Sequence, residues 1–211
     1  MQTMTLSENL KTSTRPYHDS AEGSVFQSLL TAGTLPLSLY GSYLAQLYLV
    51  HDRLEKFIHE SEKSDKRFSQ VVSQLQYQVP YLRDDLDTLG LELDSIKPLP
   101  ATAKFLSVID AAAANKPISL LGIHYVLLGS KHGGKFIAKN LKEHYGFNGE
   151  GTRYFDPYGD TFMTHWRAFI ANLNEISVAT EETDQIVETA KETFTAVGAI
   201  GKELEPNAGG R

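Results

Sequence analysis

Apolar residues along the chain recur at threes and fours, the spacing of a helix face, and nowhere sustain the alternation of a strand. The clearest run is Leu37 to Ile58, where Leu37, Tyr40, Leu44, Leu47, Tyr48, Leu54, Phe57 and Ile58 line one stripe. Further helices are predicted near 24–31, 66–78, 80–89, 101–114, 117–145, 157–176 and 180–204, with glycines and prolines in most of the gaps. An all-α protein follows: a single-domain irregular helical bundle over residues 1–204, with a flexible tail expected at 205–211.

The first helix carries a complication. Pro16 lacks an N–H and its ring would strike the carbonyl of Thr12, at a cost of about 3 kcal/mol in a helix interior. Ser13 and Thr14 are good N-cap residues, so a fresh helix is expected near Thr14, with Pro16 in its first turn and an end at Gly23. That places His18 on a short helix.

Composition narrows the chemistry. A formal charge of −6 argues against a nucleic-acid surface, which needs clustered Lys and Arg. There are no cysteines, so disulfides, thiolate metal sites and Cys nucleophiles are excluded. No apolar run is long enough to span a bilayer and no signal-peptide pattern opens the chain, so a cytoplasmic protein without a membrane partner is expected.

Two segments hold candidate chemistry. His18 and Glu22 lie four apart on one helix face, as an iron-ligating imidazole and the carboxylate that takes its second N–H would. Lys11 and Arg15 nearby would suit carboxylates of a bound group. The same pair also fits a surface ion pair, a common helix device. The second segment, Tyr125 to Leu141, holds Gly129, Gly133 and Gly134, each costing about 1 kcal/mol relative to alanine. Close packing of a neighbouring helix and close approach of a flat ligand explain them equally, and a kink is expected under either. His51, His59, His124, His144 and His165 share no obvious site and are expected to be surface or partly packed residues.

These two segments, in this order and about 110 residues apart, resemble the proximal and distal helices of the haem oxygenase family. Leu10 to Glu22, Tyr81 to Gly90, Tyr125 to Leu141, Phe155 to Gly159 through Trp166 to Phe169, and a last helix with Ala190, Phe194 and Leu204 all resemble its bacterial, biliverdin-producing branch. The resemblance implies a haem between a proximal N-terminal helix and a kinked glycine-rich distal helix. His18 would ligate the iron and Glu22 would hold His18. Gly129, Ser130, Gly133 and Gly134 would form the distal wall, and Lys11 and Tyr125 would contact the propionates, with Arg167 a further candidate. It further implies oxidative opening of haem to biliverdin with release of carbon monoxide and ferrous iron, using molecular oxygen and an external electron donor such as a ferredoxin or flavoprotein reductase.

The chain departs from the pattern in the distal segment. Leu128 stands where the bacterial branch usually has glutamate, Ser130 where the animal type has an aspartate, and Lys131-His132 where a small apolar pair is typical. Lys131 and His132 are expected to face solvent, with His132 as a candidate substitute in the distal network. The altered segment keeps a second reading open, a non-catalytic haem-binding protein acting as sensor, store or carrier. A di-iron carboxylate site is excluded for want of paired Glu-x-x-His sets. Arg53, Lys56, Lys131, Lys135, Lys139 and Lys142 are the candidates for a basic docking face.

Overall fold

The computed structural model describes residues 4–206, so most of the expected tail, from 207 on, lies outside the described residues. Ten α-helices follow one another: α1 (Leu6–Glu22), α2 (Val25–Ala32), α3 (Leu37–Ser61), α4 (Lys66–Val71), α5 (Val79–Thr88), α6 (Pro100–Asn115), α7 (Leu120–Gly129), α8 (Gly134–Tyr145), α9 (Phe162–Glu175) and α10 (Thr180–Glu203). Among the described residues there is no strand. Of the stripe that periodicity predicts in α3, Tyr40, Leu44, Leu47, Tyr48, Leu54 and Ile58 are buried and Phe57 is partly so, while Leu37, at the first position of the helix, is exposed.

α1 does not restart at Thr14. It runs unbroken through Pro16 from a capping box at Thr5 and Glu8 to Gly23. Leu6 and Leu10 are buried, and burying two leucines contributes about 1.5–3 kcal/mol each, enough to offset the proline. Thr12 and Pro16 are both exposed, so the carbonyl that loses its donor is open to water.

α10 is the strut of the molecule and packs against α1, α6 and α7. Its crossing with α7 is tight at Gly122, where a Cβ would sit 2.6 Å from Thr189 Oγ1 and closer still to the Ile186 carbonyl oxygen. Five residues beyond Thr189, α10 meets α1, with the Phe194 ring 5.7 Å from that of His18. One rigid helix therefore sets the histidine helix relative to the glycine-rich one.

The expected long helices break where side chains need a terminus. The run predicted over 66–78 ends at Val71, followed by a short 3₁₀ turn at Gln74–Gln76. Glu55 of α3 then accepts the Gln78 N–H (2.5 Å) and the Val79 N–H (3.2 Å), capping the start of α5. The helix predicted from 157 begins only at Phe162, because the strand of chain before it is tied down by Asp85. That carboxylate accepts both the Arg153 and Tyr154 N–H groups at 2.8 Å.

Candidate functional site

On α1 the His18 ring is half-exposed, with Nε2 3.5 Å from Glu22 Oε1 and Nδ1 3.5 Å from Asp19 Oδ1. The ligand atoms of all three side chains lie within 4.8 Å of one another on an exposed face. Helical spacing puts Lys11 two turns before His18 on the same stripe. Lys11 is exposed and in no ion pair among the described residues, whereas Arg15 is paired with Asp19 at 3.0 Å. This surface can ligate an iron through one imidazole nitrogen and hold the other by a carboxylate. Asp19 competes with Glu22 for that second role, which the four-residue spacing alone did not reveal.

The glycine-rich segment is broken, as a kink requires: α7 ends at Gly129, a 3₁₀ turn covers Ser130–His132, and α8 starts at Gly134. Its glycines do different jobs. A Cβ on Gly134 would lie 2.9 Å from the Phe155 carbonyl carbon and closer to its oxygen, so this glycine admits a crossing backbone. A Cβ on Gly129 would touch only the Trp166 ring, at 3.4 Å. At Gly133 it would meet nothing within 4 Å. Chain packing therefore accounts for Gly134, whereas its neighbour Gly133 faces open space.

Aromatic rings of α9 line this turn. Trp166 lies 5.5 Å from Tyr125 and 4.8 Å from His132, and Phe162 is 4.8 Å from His132. Tyr125 is half-buried, and burial raises its phenol above the ordinary value. His132 is exposed, with Nδ1 2.8 Å from the Gly129 carbonyl; the N–H on Nδ1 donates and leaves Nε2 as the free nitrogen. Ser130 is exposed and its hydroxyl donates to the Leu127 carbonyl at 2.7 Å. Arg167 on α9 is exposed and in no ion pair among the described residues.

Lys131 overturns the expectation that it faces solvent. It is 4% exposed, its Nζ has no hydrogen-bond partner among the described residues, and it sits 3.0 Å from the centre of the Tyr154 ring. The tight 3₁₀ turn rotates it inward while its neighbours stay outside. Burial pushes its amine well below the usual lysine range, against the pull of Asp85 and Glu55. The basic docking face loses this member, and several others are engaged: Arg53 with Asp110, Lys135 with Asp160, and Lys139 with Glu143.

Behind the turn lies a buried polar cluster that sequence reading missed. His51 and His124, expected to be surface or partly packed residues, are both buried. His51 Nε2 is 3.2 Å from the Tyr154 hydroxyl and its Nδ1 is 3.5 Å from Glu55 Oε1. His124 Nε2 meets Gln76 Oε1 at 2.9 Å, and burial lowers its pKa to about 3. One signal was available. His51 and Glu55 sit four apart within a helix whose neighbours Leu47, Leu54 and Ile58 are all core, so a polar pair there needed a buried partner.

The heme oxygenase family model matches residues 4–203, nearly the whole chain. The chain belongs to the haem oxygenase family. A heme oxygenase of Xanthomonas campestris pv. campestris is 32% identical over 133 residues, covering 62% of this chain and 72% of that protein. Heme oxygenase 1 of Gallus gallus is 25% identical over 196 residues, 90% of this chain and 66% of the other. Against such animal relatives the chain spans about two thirds of their length. Among solved structures, heme oxygenase-1 of the cyanobacterium Synechocystis in complex with heme superposes with a TM-score of 0.86 at 20% identity, covering 96% of this chain and 93% of that one. The heme oxygenase of Leptospira interrogans matches with a TM-score of 0.86 at 22% identity, covering 95% and 100%. This member of the haem oxygenase family thus shares its fold with both of those structures. No described helix is long and apolar enough to cross a membrane.

Proposed function

We propose that this chain is a haem oxygenase that binds one haem between α1 and the Gly129–Gly134 turn. It opens the ring to biliverdin with release of carbon monoxide and ferrous iron. The observation that carries the reading is the family match over residues 4–203 combined with an exposed imidazole at His18 and open backbone at Gly133. Donor chemistry fits the group. A single neutral imidazole suits haem iron, and the flanking carboxylates suit its second N–H.

In this reading His18 ligates the iron, and Glu22 or Asp19 takes the proton-bearing nitrogen and fixes the ring. Lys11 and Tyr125, with Arg167, contact the propionates, which accept well from cations and a phenol. Gly129 and Gly133 let backbone approach the ring face. Ser130 keeps a hydroxyl there that can hold water, and Trp166 and Phe162 exclude bulk solvent at one edge. Gly134 serves by keeping Phe155, and with it Tyr154, close behind the turn. Bound haem supplies both the iron at which oxygen is activated and the carbon that is oxidised. Electrons come from an external donor, a ferredoxin or flavoprotein reductase, and the setting is cytoplasmic.

His132 favours a second reading, a non-catalytic haem carrier or sensor. Its Nε2 is free, so a haem seated against the turn could gain a second histidine ligand and lose its open position. One experiment tests both. The purified protein takes one equivalent of hemin, its Soret band and Trp166 fluorescence are recorded, and ascorbate is then added in air. One-to-one binding with quenched fluorescence and decay of the Soret band to a biliverdin spectrum is the expected result. Tight binding of haem that survives reductant would overturn catalysis in favour of the carrier, and no binding would remove both.

A further inference from the structure

The imidazole of His18 is flanked on both of its nitrogens, and haem iron needs one of them. Nδ1 lies 3.5 Å from Asp19 Oδ1, and Nε2 lies 3.5 Å from Glu22 Oε1. Nδ1 sits beside the residue's own Cβ, so a flat macrocycle drawn up to it would collide with the backbone of α1. Nε2 points away from the chain. Ligation of haem therefore takes Nε2, and the carboxylate on that side has to give way. That carboxylate is Glu22, the residue that helical spacing offers as the partner.

The two carboxylates differ in how firmly they are held. Arg15, one turn earlier on α1, donates from Nε to both Asp19 oxygens, at 3.0 and 3.2 Å. Asp19 Oδ1 is thus shared between the guanidinium and the imidazole. Glu22 keeps 68% of its side chain exposed and, His18 apart, is in no ion pair among the described residues. An acceptor already fixed loses little freedom on taking an N–H, whereas Glu22 would have to be immobilised to do so. The ring is itself confined by Phe194, edge-on at 5.7 Å. Turning it over would set carbon atoms against both carboxylates, so the orientation with Nδ1 on Asp19 is the one its neighbours hold.

We propose that Asp19, braced by Arg15, is the residue that positions the proximal histidine, and that Glu22 is a displaceable guard of Nε2. The proposal rests on the reading that His18 ligates haem iron. The Nδ1–H donates to Asp19 Oδ1, the Nε2 lone pair is left for the iron, and the Glu22 side chain turns out to water. Asp19 and Arg15 touch neither haem nor oxygen. They act through the imidazole, by fixing its tautomer and placing negative charge behind it, which makes it the stronger ligand. The two acidic residues therefore have opposite roles: loss of the Asp19 carboxylate removes a support, and loss of the Glu22 carboxylate removes a competitor.

Asp19→Ala and Glu22→Ala separate those roles, both at exposed positions of α1, and each should unfold at the wild-type temperature. On hemin titration Asp19→Ala should bind at least about tenfold more weakly, the scale on which an outer partner of a ligating histidine acts. Glu22→Ala should bind as tightly as wild type or more so. The second readout is the iron–histidine stretching band of the ferrous haem complex in resonance Raman spectra, which follows the hydrogen bond at Nδ1 and is blind to a merely structural role. It should fall in Asp19→Ala and hold in Glu22→Ala. A band moved by Glu22→Ala alone, or as far as by Asp19→Ala, would overturn the assignment and leave the oxygenase reading intact. A wild type with hemin bound but no such band would sink the ligation itself, and the proposal with it. A haem-free arm judges the pairing alone: nitrogen-15 NMR of the His18 ring at alkaline pH should place its proton on Nδ1 in wild type and Glu22→Ala, and shift it toward Nε2 in Asp19→Ala and Arg15→Ala. A ring protonated on Nε2 whether or not Asp19 is present would refute the brace, whatever the protein does with haem.

Discussion

Alanine at Gly133 and alanine at Gly134 should have opposite effects, although the residues are neighbours. At Gly134 the new methyl would overlap the Phe155 carbonyl, with its carbon only 2.9 Å away. Phe155 cannot step aside freely, since Asp85 holds the Arg153 and Tyr154 N–H groups before it and its ring stacks 6.2 Å from Tyr40. Overpacking of this kind costs about 1–3 kcal/mol, and the rigid backbone puts the cost at the upper end. Alanine's better helix propensity returns at most about 1 kcal/mol. A net loss of about 1–2 kcal/mol corresponds to a fall in Tm of roughly 2–8 °C for a domain of this size. At Gly133 the backbone (φ −88°, ψ −7°) is ordinary for alanine and the methyl meets nothing, so stability should hold or rise by up to about 1 kcal/mol. The methyl would instead intrude where haem is proposed to lie, and hemin affinity should fall about tenfold, or about 1.4 kcal/mol. Thermal unfolding by circular dichroism of haem-free protein and hemin titration by Trp166 fluorescence read the two effects separately. A Gly133→Ala protein that is destabilised like Gly134→Ala and binds hemin like wild type would refute the reasoning.

Three further outcomes are expected. His18→Ala should lose the ligated ferric spectrum and all productive turnover while unfolding at the wild-type temperature, because the ring is half-exposed and contributes little to the core; absorption spectroscopy with hemin checks it. Pro16→Ala should raise stability by about 2 kcal/mol, the interior-proline cost of about 3 less some unfolded-state entropy, since α1 runs straight through that site; denaturant titration decides it. Stability should decline as pH falls below about 6.5, because His124 is held neutral in the fold with a pKa near 3 and gains its proton only on unfolding. The loss approaches about 1.4 kcal/mol per pH unit between those values, and the slope should lessen in His124→Gln, as urea titrations from pH 4 to 8 would reveal.

Periodicity alone determined the helical class and most element positions, because an amphipathic helix writes its buried face into the spacing of its own residues. α3, α6 and α10 are legible for that reason. His18 with Glu22, and the kink among Gly129, Gly133 and Gly134, were legible too, since both depend on neighbours within two turns. Other features depended on partners far along the chain. α1 runs through Pro16 because Leu6 and Leu10 are buried, a term no local rule contains. The helix ends at Val71 and the late start of α9 follow from Glu55 and Asp85 capturing backbone N–H groups from distant segments. Which glycine packs and which stays open was decided by where Phe155 crosses. Lys131 is the sharpest case: a lysine between a serine and a histidine reads as surface, and only the tight turn, with Tyr154 placed behind it, carries it into the core. Spacing encodes the face of a helix; the groups that meet across faces are fixed only when the helices close on one another.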